Sequence, residues 1–89
     1  MSEDEEFYAK LLSPPHNYAV VQLPERRYPG IVVQGDSFHS LIGDLQEALN
    51  EPEDREFLIN ELIERLKTIQ AQYEAVLSKA GIELPYFRS

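Results

Sequence analysis

Apolar positions along this chain change their period once, and the change divides it into a sheet-forming front and a helical back. In residues 7–12 (FYAKLL), Phe7, Ala9 and Leu11 alternate with Tyr8, Lys10 and Leu12, the two-residue period of a half-buried strand. Residues 18–23 (YAVVQL) are rich in β-branched and aromatic side chains and predict a second strand. A third, 31–34 (IVVQ), carries Ile, Val and Val in succession, so at most one of its faces is fully wet. Ser13-Pro14-Pro15-His16-Asn17 and the Pro24–Gly30 link stop regular structure between them, because proline fixes φ and removes a donor. Three short strands with short links predict an antiparallel meander over 7–34.

From Gly35 the period becomes helical. Phe38, Leu41, Ile42, Leu45 and Leu49 fall on one stripe of a helix over 36–50, with Asp36 or Ser37 placed to cap its start. Gly43 sits inside that helix and weakens it by up to about 1 kcal/mol relative to alanine. Pro52 suits the first turn of a second helix over 52–80, and Glu53, Asp54 and Glu56 suit the positive end of its dipole. Gly81 is a natural left-handed stop, after which Ile82 is expected to fold back onto Leu77. On the wet side, Glu51–Arg55 and Glu61–Arg65 have the spacing of helical ion pairs.

The long helix spans roughly 40 Å. Its apolar positions Ile59, Leu62, Leu66, Ile69, Tyr73, Val76 and Ala80 are spaced alternately by three and four, a heptad seam that Leu58, Ile63 and Leu77 widen. Strands no longer than about 20 Å cannot cover both ends of such a helix. The expectation is an α+β domain, a short meander followed by one medium and one long helix, with Tyr73, Val76 and Leu77 on the uncovered turns. Ile59, Leu62, Leu66, Ile69, Tyr73 and Val76 then form the candidate seam with a second copy of the chain. Leu84, Tyr86 and Phe87 of the 81–89 tail also need an apolar surface.

Composition narrows the picture. Eighty-nine residues allow one domain, which buries only about 60% of the surface its unfolded chain exposes. No cysteine braces it, a usage compatible with a reducing cytoplasm. No apolar run approaches the roughly 20 residues that span a bilayer, and the MSEDEEF start is acidic where a secretory signal is basic. The expected location is cytoplasmic, with no membrane contact. A formal charge of −8 opposes binding to nucleic acid. Half of that excess is the Glu3–Glu6 run, so residues 1–6 read as a disordered, solubilising tip.

Candidate chemistry is sparse. Gly35-Asp36-Ser37, after a strand and before a helix, resembles the nucleophile block of GDSL-type serine hydrolases. Those enzymes are doubly wound α/β domains of about twice this size, with a separate D-x-x-H segment supplying the base. Here Asp36-x-x-His39 overlaps the nucleophile itself, and one turn cannot set three groups in a triad's geometry. Asp36 and Ser37 therefore read as helix caps. A hydrolase or small-ligand site on the Gly-Asp-Ser turn is the alternative reading. His16 and His39 read as surface residues, the ligand set for a structural zinc is missing, and the phosphate-cradling glycine spacings are absent, so no metal or cofactor is expected. Arg26 and Arg27, beside Tyr28, are the candidate contact for an anion or an acidic partner.

The run NYAVVQLPERRYPGIVVQGDS, Asn17 to Ser37, resembles a family of small uncharacterised bacterial proteins sharing N-x-A-V-V-x-L-P-x-R-x-[FY]-P-G-[VI]-x-x-Q-G-D-[ST]. The YEAVL and GIELPY patches extend that resemblance, which implies no activity. Over Gln34 to Leu49, QGDSFHSLIGDLQEAL is similar to a segment of HicB-type antitoxins, which bind a small toxin through a partial ferredoxin-like domain. Ser40 and Leu41 stand where that pattern has its first Glu-Ala, and no DNA-binding domain follows. The expected function is a non-catalytic, homodimeric protein-interaction module, antitoxin-, immunity- or regulator-like, with a small protein as a further partner.

Overall fold

The computed structural model describes residues 8–87. The Glu3–Glu6 run and Phe7 of the first predicted strand lie outside the described residues. Three strands, β1 (Lys10–Leu11), β2 (Val20–Gln22) and β3 (Gly30–Ile31), form an antiparallel sheet in the order β1-β2-β3. Two helices follow, α1 (Gly35–Asn50) and α2 (Arg55–Ala80). Leu11 lies opposite Val21, and Val20 opposite Ile31. The α+β meander with one medium and one long helix is thus the fold.

The strands are shorter than the apolar runs that predict them. Leu12 still donates its N–H to the Val20 carbonyl at 2.8 Å, but Pro14 and Pro15 then end β1. Ser13 takes over at that point: its hydroxyl accepts the Val20 N–H at 2.8 Å, inside the core. On the other side of β2, the Val32 N–H donates to the Ala19 carbonyl at 2.8 Å before the chain turns into α1. Tyr18 and Glu25, which bracket β2, both adopt left-handed backbone at φ 63. That conformation costs on the order of 1–2 kcal/mol in a residue with a Cβ.

The caps assigned to Asp36 and Ser37 move inward. The helix opens at Gly35 with Gln34 in the cap position, and no side chain caps it there. Asp36 works from within the first turn, its Oδ1 accepting the Ser37 N–H at 2.8 Å beside the positive end of the dipole. Pro52 disfavours helical backbone at Glu51, which ends α1; residues 52–54 then form a turn, and α2 starts at Arg55, three residues later than expected. Arg55 donates from Nη2 to the Leu49 carbonyl at 2.8 Å, and Arg65 pairs with Asp44 at 2.8 Å. Both arginines thus turn toward α1 rather than toward Glu51 and Glu61.

At the far end, Gly81 adopts φ 73 and the Ile82 N–H donates to the Leu77 carbonyl at 2.9 Å, closing a Schellman end. Leu77, Tyr73 and Val20 form the core, with Leu12, Val76, Ile82 and Leu84 packed around them. This corrects one expectation: Tyr73, Val76 and Leu77 lie on the turns that the sheet covers. β2 and the returning tail close over the C-terminal half of α2, and the bare half is the N-terminal one.

Candidate interaction surface

The helical hairpin is held by facing rows, Leu41, Asp44 and Ala48 on α1 against Leu58, Leu62 and Arg65 on α2. Ala48 and Leu62 are buried in the contact, and the Arg65–Asp44 pair spans it. In an antiparallel hairpin the residue after each facing position turns about 100° to the same side on both helices. Phe38, Ile42, Leu45 and Leu49 of α1 therefore share one side with Ile59, Ile63 and Leu66 of α2. All seven are between 39% and 67% exposed. The opposite side is more polar: Glu47, Glu61 and Glu64 line a hollow there with Asp44 and Thr68, beside one exposed aromatic ring, Phe57.

Next to the sheet the apolar side deepens into a groove of about 500 Å³. Ile31 and Val33 from the sheet side, Phe38 and Leu41 from α1, and Leu66, Ile69 and Tyr73 from α2 line it, with Tyr18, Pro29 and Tyr86. No Asp, Glu, Lys, Arg or His lines it. Tyr73 donates its hydroxyl proton to the Pro29 carbonyl at 2.6 Å, linking α2 to the entry of β3. Burial, and then the neighbouring Tyr86, raise the Tyr73 pKa above the ordinary tyrosine value. Tyr86 in turn donates to Glu74 Oε2 at 2.9 Å, fastening the tail to α2.

The six residues read as a dimer seam separate into two groups. Leu62 is buried against α1, Tyr73 is buried under the sheet, and Val76 packs beside it, so these three serve the chain's own core. Ile59 and Leu66 lie on the open side and Ile69 lines the groove. The α1 row from Phe38 to Leu49 was missed, because its periodicity alone does not distinguish packing within the chain from packing between chains. Its signal was width: Leu41 and Ile42 are adjacent apolar residues, more than one contact with α2 can bury.

Arg26, Arg27 and Tyr28 are brought together on the β2–β3 loop. The Arg27 guanidinium stacks over the Tyr28 ring at 5.0 Å, and Gln22 Nε2 donates to the Arg26 carbonyl at 2.6 Å. Both arginines are exposed beside a shallow hollow that includes Glu25, Pro29 and Pro85. The residues of the hydrolase reading sit at the start of α1, where Asp36 and His39 are exposed and the Asp36 carboxylate holds a backbone N–H. His16 donates from Nδ1 to the Asn17 carbonyl at 2.8 Å, which leaves Nε2 to accept from Gln72 at 3.4 Å. It ties the loop before β2 to α2. Among the described residues, no group of three or more His, Cys, Asp or Glu side chains could hold a metal ion. No helix there is long and apolar enough to cross a membrane.

No curated protein and no solved structure matches the chain. A family model matches it from residue 4 to residue 86, almost end to end, and the chain belongs to that family, the family of unknown function DUF6959.

Proposed function

We propose that the protein is a small non-catalytic interaction module that works as a homodimer, its copies joined over the apolar side of the helical hairpin. The observation that carries this reading is the area left bare. At roughly 150 Å² of apolar side-chain surface for each when fully exposed, the seven residues present about 500 Å² of apolar surface, which the adjoining groove extends. A stable interface buries about 800 Å² per partner, and the largest apolar patch on an ordinary monomer is about 300–600 Å². Charge supports the same reading, since Asp44, Glu47, Glu61 and Glu64 gather around the hollow on the other side and no charged residue lines the groove.

A module of this kind fits an antitoxin, an immunity protein or a small regulator, each of which acts by covering a partner. The likeness of Gln34–Leu49 to HicB-type antitoxins supports that class, because it falls on α1, whose Phe38 and Leu41 line the groove. Arg26, Arg27 and Tyr28 are the contact we assign to a further, acidic partner, with the Tyr28 ring holding the Arg27 guanidinium in position.

Light scattering after size exclusion at micromolar concentration tests the homodimer. The expected mass is twice the 10.3 kDa of one chain. Leu45→Glu or Ile63→Glu places a charge on an exposed position, so each is expected to halve the mass and keep the helical circular dichroism. Arg26→Ala/Arg27→Ala is expected to remain dimeric. A wild-type particle of one chain would overturn the reading.

A further inference from the structure

We propose that β3 and the two residues that follow it, Val32 and Val33, pair antiparallel with the same segment of a second copy, centred on Val32, so that two sheets become one. This rests on the homodimer reading and names its seam. The alternation of backbone groups gives the starting point. Val32 points its N–H inward to Ala19, so Pro29, Ile31 and Val33 point their backbone groups outward, away from β2. Val20 confirms the phase, because both its backbone groups face β1 and Ser13. The outward carbonyl of Pro29 is taken by the Tyr73 hydroxyl. The N–H and C=O of Ile31 and of Val33 make no hydrogen bond among the described residues.

An open edge of this kind is normally guarded by a lysine, a proline or a bulge. Residues 30–34 read Gly-Ile-Val-Val-Gln and carry none of these, so the guards on this side are Pro29 at the entry and the shortness of β3 itself. The Ile31 and Val33 side chains also line the uncharged groove, so backbone and side chains invite the same neighbour, an extended apolar strand. A second copy answers that description. Its own Ile31 and Val33 offer the same four groups, and antiparallel pairing sets Ile31 opposite Val33 twice, making four backbone hydrogen bonds about the two-fold axis. A neutral seam also suits self-association of a chain of charge −8. The groove opens onto the bare side of the hairpin, so the added strand continues the surface assigned to the dimer.

Under this register Val32 faces Val32 as a non-hydrogen-bonded pair, with Cα atoms about 4.5 Å apart, within disulfide range. The chain has no cysteine, so Val32→Cys introduces a single thiol. Mild oxidation is expected to give a disulfide-linked dimer at least about tenfold faster than Ser40→Cys, on the polar side of α1. Val33→Pro removes one outward N–H and no bond within the protomer. It is expected to weaken the dimer about tenfold or more by sedimentation, with circular dichroism unchanged. A wild-type dimer in which Val32→Cys links no faster than Ser40→Cys overturns the β3 seam and leaves the homodimer standing. A wild-type monomer overturns both. Linking of Val32→Cys together with dissociation of Val33→Pro supports the seam.

Discussion

Tyr73→Phe removes one oxygen from the most central tertiary contact of the fold. The hydroxyl reaches the Pro29 carbonyl at 2.6 Å across 44 residues of sequence, and both residues are buried. Phenylalanine keeps the ring against Val20 and Leu77 but leaves that carbonyl without its donor. A buried acceptor left unpaired costs about 1–3 kcal/mol. In a domain of this size each kcal/mol lowers Tm by about 4–8 °C, so the expected fall is on the order of 4–24 °C. Urea unfolding followed by circular dichroism reads the change directly, with the midpoint moving and the slope unchanged. Alkaline titration adds a second readout. Burial raises the Tyr73 pKa, so above about pH 10 the unfolded chain loses this proton before the folded one does. The folded state then holds more protons, and stability falls as pH rises through that window, whereas below it this group contributes no slope. The phenylalanine variant has no such proton, so the gap between wild type and variant should narrow as pH climbs above about 10. A neutral-pH difference below about 0.3 kcal/mol, or a gap that stays constant into alkali, refutes the reasoning.

Three smaller substitutions probe other joints. Ser13→Ala deprives the buried Val20 N–H of its acceptor and should cost about 1–3 kcal/mol, with faster hydrogen exchange at the Val20 amide. Gly43→Ala should stabilise by up to about 1 kcal/mol in the same urea assay, because a Cβ there meets nothing within 4 Å. Gly43 lies on the polar side of the hairpin, so its dimer should be intact by light scattering, and loss of the dimer would move the interface to that side. Asp44→Ala breaks the pair with Arg65, both half exposed, and should cost less than about 1 kcal/mol, shrinking further with added salt.

The order of elements was legible because each is punctuated by local chemistry: Pro14-Pro15 after β1, Gly35 at the start of α1, Gly81 after α2. Each acts on its own backbone and needs no knowledge of the fold. Strand length was not legible in that way. β2 carries only Val20–Gln22 in its ladder because its neighbours end early, β1 at the prolines and β3 where α1 begins. Ser13 replacing a ladder carbonyl was also invisible, as a serine before two prolines reads as an ordinary turn. The seam on α2 was half legible. Its stripe from Ile59 to Leu77 is continuous in sequence, but which half the sheet covers depends on where β2 returns, a long-range pairing that periodicity does not encode. Arg26, Arg27 and Tyr28 could be grouped from sequence because adjacency alone brings them together. The Tyr73–Pro29 contact could not, since neither residue announces the other.

The bare half of the hairpin has a consequence for folding itself. The radius of gyration is 16.3 Å, against about 12 Å for a compact chain of this length. Among the described residues, only Leu77 and Val20 are wholly buried larger side chains, both at the sheet end. At the other end the described residues form two helices touching along one row, with no third layer among them. Such an end gains little from apolar burial, while ordering its backbone costs on the order of 1–2 kcal/mol per residue. If a second copy supplies the missing layer, association adds to the stability of a protomer that already folds on its sheet-end core, and Tm must rise with protein concentration. Across a hundredfold range, mass action contributes about 2.7 kcal/mol per dimer, an upward shift on the order of 5–10 °C. Leu45→Glu should both lower Tm and flatten that dependence, because it removes the association and not the sheet-end core. Differential scanning fluorimetry over a dilution series reads both. A wild-type Tm that does not move with concentration would mean that one copy stabilises the hairpin unaided, and the seven bare side chains would then need another explanation.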